Sequence, residues 1–97
     1  MALSGTFSAN GSVELGLQSM NTAAKIAALN TMYATGASFG GGTLKIQASP
    51  VESGDVWVDL ENVSLTAAGA KNFQAKARRF RITLTGATTP TIPWWVV

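Results

Sequence analysis

The chain contains no cysteine and no histidine in its 97 residues, and only 12 of every 100 residues are charged. Each shortage excludes something. Without cysteine there are no disulfides to staple a small fold and no thiolate metal sites. Losing histidine as well removes the commonest general base and most of the ligands that hold transition metals. Scarce charge, against about 25% in an average soluble domain, leaves much of the surface to Ser, Thr, Asn, Gly and apolar groups. Such a surface is poorly defended against association and suits a protein that works in an assembly.

Long apolar runs are missing too. Nothing approaches the ~20 residues of a membrane span, and Met1-Ala-Leu-Ser-Gly lacks the basic start and apolar stretch of a secretion signal. The expected setting is therefore a cytoplasm, without a membrane. Seven cationic residues against five acidic ones leave a net charge of +2, too small to imply a polyanionic partner. The length allows one domain, residues 1–97, with a limited core.

What is present is alternation. Leu44 and Ile46 oppose Thr43, Lys45 and Gln47. Phe80, Ile82 and Leu84 oppose Arg79, Arg81, Thr83 and Thr85. A period of two marks strands with one buried and one wet face, so these five apolar residues are expected to share one core. Strands are also expected near 4–9 and 12–18, joined as a hairpin by Asn10-Gly11. Val56–Leu60 alternates, with Trp57 read as a core or interlayer residue or, alternatively, as an outward residue at a subunit contact, and Val63 and Leu65 form a further short strand. Lys71–Ala77 brings Phe73 inward. Within residues 20–35, Lys25–Tyr33 fits a strand with Ile26, Ala28 and Met32 inward, or the segment forms a short helix capped by Asn21 or Thr22. Seven or eight short strands in so few residues imply an all-β chain, a single antiparallel β-sandwich of jelly-roll type. Pro90 and Pro93 favour an extended edge or tail over a central strand at about 88–97.

Motifs for chemistry are sparse. Gly40-Gly41-Gly42 leads into a strand, whereas a phosphate cradle needs a following helix; the glycines read as a close backbone approach. Glu52, Asp55, Asp59 and Glu61 crowd one turn without the ligand order of a calcium loop and read as solvated carboxylates. Serines have no histidine partner, and a chain this short has little room for a ~300 Å³ pocket. Catalytic, cofactor and metal sites are therefore expected to be absent. Lys71, Lys76, Arg78, Arg79 and Arg81 cluster within eleven residues. Alternation divides them between faces, and outward aromatics for base stacking are not evident. The expected role is a protein contact, with Arg79 and Arg81 meeting carboxylates of a neighbouring chain, and not nucleic-acid binding.

The run Phe39-Gly-Gly-Gly-Thr-Leu-Lys-Ile-Gln-Ala-Ser-Pro50, an acidic Gly turn, Trp57-Val-Asp-Leu60 and Ala77-Arg-Arg-Phe-Arg-Ile-Thr-Leu-Thr-Gly-Ala87 resembles a group of small bacteriophage virion proteins. These are β-sandwich or jelly-roll domains of heads and tail appendages. The resemblance covers roughly residues 37–88. It implies a non-enzymatic virion protein: first a capsid decoration or cement protein bound to the major capsid protein or another virion component and to itself, with a homotrimer as the expected assembly. The alternative is a recognition module of a head or tail fibre for a host-surface glycan or protein. The C-terminal Ile92-Pro-Trp-Trp-Val-Val97 adds a candidate interface. Adjacent tryptophans in an extended segment face opposite ways, so one of Trp94 and Trp95 is expected in the chain's own core. The other, with Val97, is expected against a second subunit.

Overall fold

A computed structural model describes residues 4–15, 20–21, 26–27, 29–36 and 38–97. Among the described residues ten strands follow in order: β1 Ser4–Phe7, β2 Gly11–Leu15, β3 Met20–Asn21, β4 Ile26–Ala27, β5 Asn30–Ala34, β6 Thr43–Ser49, β7 Val58–Leu65, β8 Gly69–Phe73, β9 Arg79–Thr85 and β10 Ile92–Val96. One sheet runs β2-β9-β6-β7 and the other β1-β10-β5-β8, while β3 and β4 pair with each other.

The order follows one rule. β6 pairs with β7, β5 with β8, β2 with β9 and β1 with β10, all antiparallel. The chain is thus one long hairpin doubled back around residues 50–57 and then rolled into two sheets. That is the jelly-roll arrangement. Residues 20–21 and 26–27 are strand, and the rest of 22–28 lies outside the described residues.

Alternation places the core. Leu44, Ile46, Phe80, Ile82 and Leu84 are all buried, joined by Leu15, Val63 and Leu65 from their own sheet. The second sheet contributes Phe7, Met32, Ala34, Phe73, Ile92, Trp94 and Val96. Phe73 meets Phe80 edge-on at 5.5 Å between ring centres, and Phe7 stacks on Trp94 at 6.1 Å. Both distances fall in the range where aromatic pairs add to simple area burial.

Two local expectations fail for physical reasons. β1 and β2 do not form a hairpin, because they belong to opposite sheets. Asn10 turns the chain across the sandwich, and its side chain locks that corner to another. Its Nδ2 donates to the Ala87 carbonyl at 3.0 Å, and the Ala87 N–H donates back to Oδ1 at 2.9 Å.

The C-terminal segment is not an edge or tail. β10 lies between β1 and β5. Proline fits inside this sheet because of the hydrogen-bond alternation. Antiparallel partners exchange both bonds at every second pair, and the Thr35 N–H donates to the Pro93 carbonyl at 3.0 Å. The one return donor that Pro93 lacks would face Thr35, just past the end of β5. On its other side Pro93 faces Thr6 in a pair that exchanges no bonds. A single ladder bond is lost, at the margin.

The glycine segment is a close backbone approach, as its sequence implies. Gly40 has a positive φ of 58°, and a Cβ there would overlap the Thr88 backbone. The Thr88 N–H donates to the Gly40 carbonyl at 2.9 Å.

Candidate functional site

Two sheets give two outer faces of opposite chemistry. On the first sheet, register aligns Glu14, Arg81, Gln47 and Asp59 across four strands. Arg81 Nε donates to Gln47 Oε1 at 2.6 Å, and Gln47 Nε2 donates to Asp59 Oδ1 at 2.7 Å. Lys45 Nζ closes on Asp59 Oδ2 at 3.1 Å. Arg81, Gln47 and Asp59 are therefore held in a chain of cross-strand hydrogen bonds, with Lys45 joining diagonally.

Arg79 does something different. Its Nε donates to the Val51 carbonyl at 3.0 Å, and one terminal nitrogen reaches the Gly54 carbonyl at 2.6 Å and Ser49 Oγ at 3.3 Å. Its other terminal nitrogen lies 4.0 Å from Glu14. The guanidinium fork is a clamp on the 50–57 turn, around which the whole hairpin doubles. Only 17% of the side chain is exposed. Within the chain, Arg79 donates to the Val51 and Gly54 carbonyls and to Ser49 Oγ, and Arg81 Nε donates to Gln47; pairing of either residue with carboxylates of a neighbouring chain stays a proposal.

Of the two readings of Trp57, the outward one holds. It is not in the core. Its ring lies on the outer face, 4.6 Å from the Arg79 guanidinium and 4.4 Å from that of Arg81. Cation–π contacts of this kind contribute about 0.5–2 kcal/mol. An outward aromatic does stand among these arginines. A β7 irregularity explains why alternation missed it: Lys45 faces Ser64, but Gln47 already faces Asp59, and Asn62 takes a positive φ of 63°. The inward–outward pattern of Val63–Leu65 does not carry back to residues 57–60. The five cations also separate. Lys71 belongs to β8 in the other sheet, and Arg78 pairs with exposed Glu52 at 2.9 Å.

The clamp and the ladder each yield an expected result. Arg79→Ala leaves the Gly54 carbonyl without its donor and the Val51 carbonyl with Ser49 Oγ alone; both are exposed, so the loss is about 0.5–1.5 kcal/mol, and Arg79→Lys does not rescue because a point charge cannot serve three acceptors at once. Limited proteolysis should show new cleavage at residues 51–55 in both variants; an uncut turn in Arg79→Ala contradicts the clamp. Asp59 is held below its ordinary 3.8 by the Gln47 hydrogen bond first and then by Lys45. A carboxylate depressed by folding adds stability above its unfolded pKa, and that contribution disappears as pH falls through the folded value. The group is exposed, so the effect stays under about 1 kcal/mol. In urea unfolding, Asp59→Asn should be weaker than the unaltered chain at about pH 6 and equal to it at about pH 2; a gap that persists in acid contradicts this assignment.

The second sheet's outer face has no such network. Trp95 sits between Ser4 on β1 and Tyr33 on β5, and Tyr33 faces Ala70 on β8. The flanking rows are Thr6, Pro93 and Thr35, and Val97, Thr31 and Asn72. Thr31 Oγ1 donates to Asn72 Oδ1 at 2.8 Å. None of the side chains at these positions is charged. Trp95 is 43% exposed, Tyr33 44% and Val97 70%. Trp94, on the opposite side of the same strand, is only 1% exposed. Of the C-terminal candidates, Trp94 therefore belongs to the core and is withdrawn as an interface residue. Trp95 and Val97 are surface, and Tyr33 joins them. Sequence reasoning missed Tyr33 because only the β5–β10 pairing places it beside Trp95.

No family model, curated protein or solved structure matches the chain.

Proposed function

We propose that this chain is a non-enzymatic virion structural protein, a bacteriophage capsid decoration or cement protein. In this reading the outer face of the β1-β10-β5-β8 sheet is laid against a shell protein. The observation that carries it is the uncharged row Ser4–Trp95–Tyr33–Ala70, with two large aromatics left exposed on the sheet surface. Interface cores are depleted in charge and enriched in Trp and Tyr, and side chains pinned in a sheet lose little freedom on docking. Both chain-terminal strands contribute to this face. Jelly rolls build viral capsid domains, but they also build lectins, so the fold adds support only by analogy.

Function here is binding free energy. At about 25 cal/mol per Å² of apolar area, contacts of standard size repeated around a shell stabilise it without chemistry. The recognition-module alternative retains one supporting observation, Trp57 beside exposed Asp59 on the other face. Imaging the labelled chain on intact particles separates the two. Decoration places regular copies at capsomer junctions, a fibre module appears only on appendages, and absence from particles overturns both.

A further inference from the structure

The four edges of the two four-stranded sheets are not equally protected. An edge strand exposes unpaired N–H and C=O groups, and proteins defend such edges with charges and bulges. β2 carries Glu14, β7 carries Asp59, Glu61 and the register irregularity, and β8 carries Lys71. β1 reads Ser-Gly-Thr-Phe, without charge, proline or irregularity. Among the described residues nothing pairs with its outer side.

Which groups point outward follows from the ladder. Pro93 and Val97 bond to β5 through Thr35 and Thr31, so Ile92 and Trp94 turn their backbone groups toward β1. Their partners there are Phe7 and Gly5. By alternation, Ser4 and Thr6 direct their N–H and C=O groups to the free edge.

We infer that this edge pairs with the β1 edge of a second copy, antiparallel about a twofold axis, with each Ser4 opposite the other copy's Thr6. That register exchanges four backbone hydrogen bonds and sets Gly5 against Gly5 at the axis, where no side chains collide. A second copy is the occupant because the edge is complementary to itself: both free residues supply a donor and an acceptor, and no like charges meet across the seam. Pairing joins two β1-β10-β5-β8 sheets into one of eight strands. Their uncharged outer faces become continuous, with Trp95 one strand in from the seam on each side. The inference deepens the proposed assembly role and gives a twofold pair where the sequence reading expects a trimer.

Three residues a side bury far less than the ~800 Å² per partner of a stable interface, so the pair is concentration-dependent. Backbone hydrogen exchange on the unaltered chain tests it. At ~1 mM the Ser4 and Thr6 amides should exchange at least ~10-fold more slowly than at ~10 μM, while Gly5 and Phe7, bonded to β10, are protected at both. Thr6→Pro removes one edge donor and none of the bonds to β10. Sedimentation equilibrium should find that variant monomeric at ~1 mM with an unchanged melting transition, if it folds. Equal Ser4 and Thr6 exchange at the two concentrations overturns the inference, as does a monomeric unaltered chain at ~1 mM. A folded Thr6→Pro that still dimerises also overturns it. None of these outcomes bears on particle docking, which is measured separately.

Discussion

Replacing Trp94 by alanine should destabilise the domain by ~3–5 kcal/mol, whereas replacing its neighbour Trp95 should cost about 1 kcal/mol or less. Trp94 fills the centre of the second sheet's inner face, stacked on Phe7. Its indole runs beneath Gly5, where a Cβ would come within 3.1 Å of the ring. A side chain so enclosed leaves a cavity that its surroundings cannot close. Small domains have only about 5–15 kcal/mol of stability in total, and each kcal/mol shifts melting by roughly 4–8 °C at this size. Thermal unfolding should therefore fall by ~15 °C or more for Trp94→Ala and by only a few degrees for Trp95→Ala. Equal melting of the two variants contradicts the assignment of one indole to the core and the other to the surface.

The second large effect concerns docking. Trp95→Lys and Tyr33→Lys each put a charge on the uncharged face and remove an aromatic anchor. Truncating a central anchor alone commonly costs ~2 kcal/mol or more, about 30-fold in affinity, and a buried unpaired ammonium adds to that. Stability changes little, because both positions are exposed on strands. Trp57→Ala, on the opposite face, loses its cation–π contacts but leaves docking intact.

How much of this the sequence shows depends on what fixes each residue. β6 and β9 are legible because strict alternation dictates which side chains are buried, and Leu44, Ile46, Phe80, Ile82 and Leu84 meet in one core as the period requires. Opposed burial of Trp94 and Trp95 is legible for the same reason. Asn10-Gly11 misleads because a local turn signal does not say which sheet the next strand joins. Val13 and Leu15 pack inward opposite Ile82 and Phe80, and that carries β2 across the sandwich. Pro93 misleads because the rule against central prolines assumes that its missing donor is needed. Here it falls at the last pair with β5.

The network around Trp57 is the least legible. Arg79 reaches carbonyls 25 and 28 residues away, and only the rolled hairpin brings them together. One signal was available: Trp57-x-Asp59 and Arg79-x-Arg81 share the same spacing, so both pairs can point to one face. The pairing of Tyr33 with Trp95 has no local signature, since more than sixty residues separate two strands that register alone makes neighbours.

Binding is proposed to lie on the uncharged outer face of the second sheet. The labelled chain is titrated onto bacteriophage particles that lack it, comparing the unaltered protein with Trp95→Lys, Tyr33→Lys and Trp57→Ala. Saturable occupancy should weaken at least ~30-fold in the first two variants and stay unchanged in the third, all with near-native melting. Full occupancy by folded Trp95→Lys and Tyr33→Lys, or loss of occupancy only in Trp57→Ala, would contradict the account.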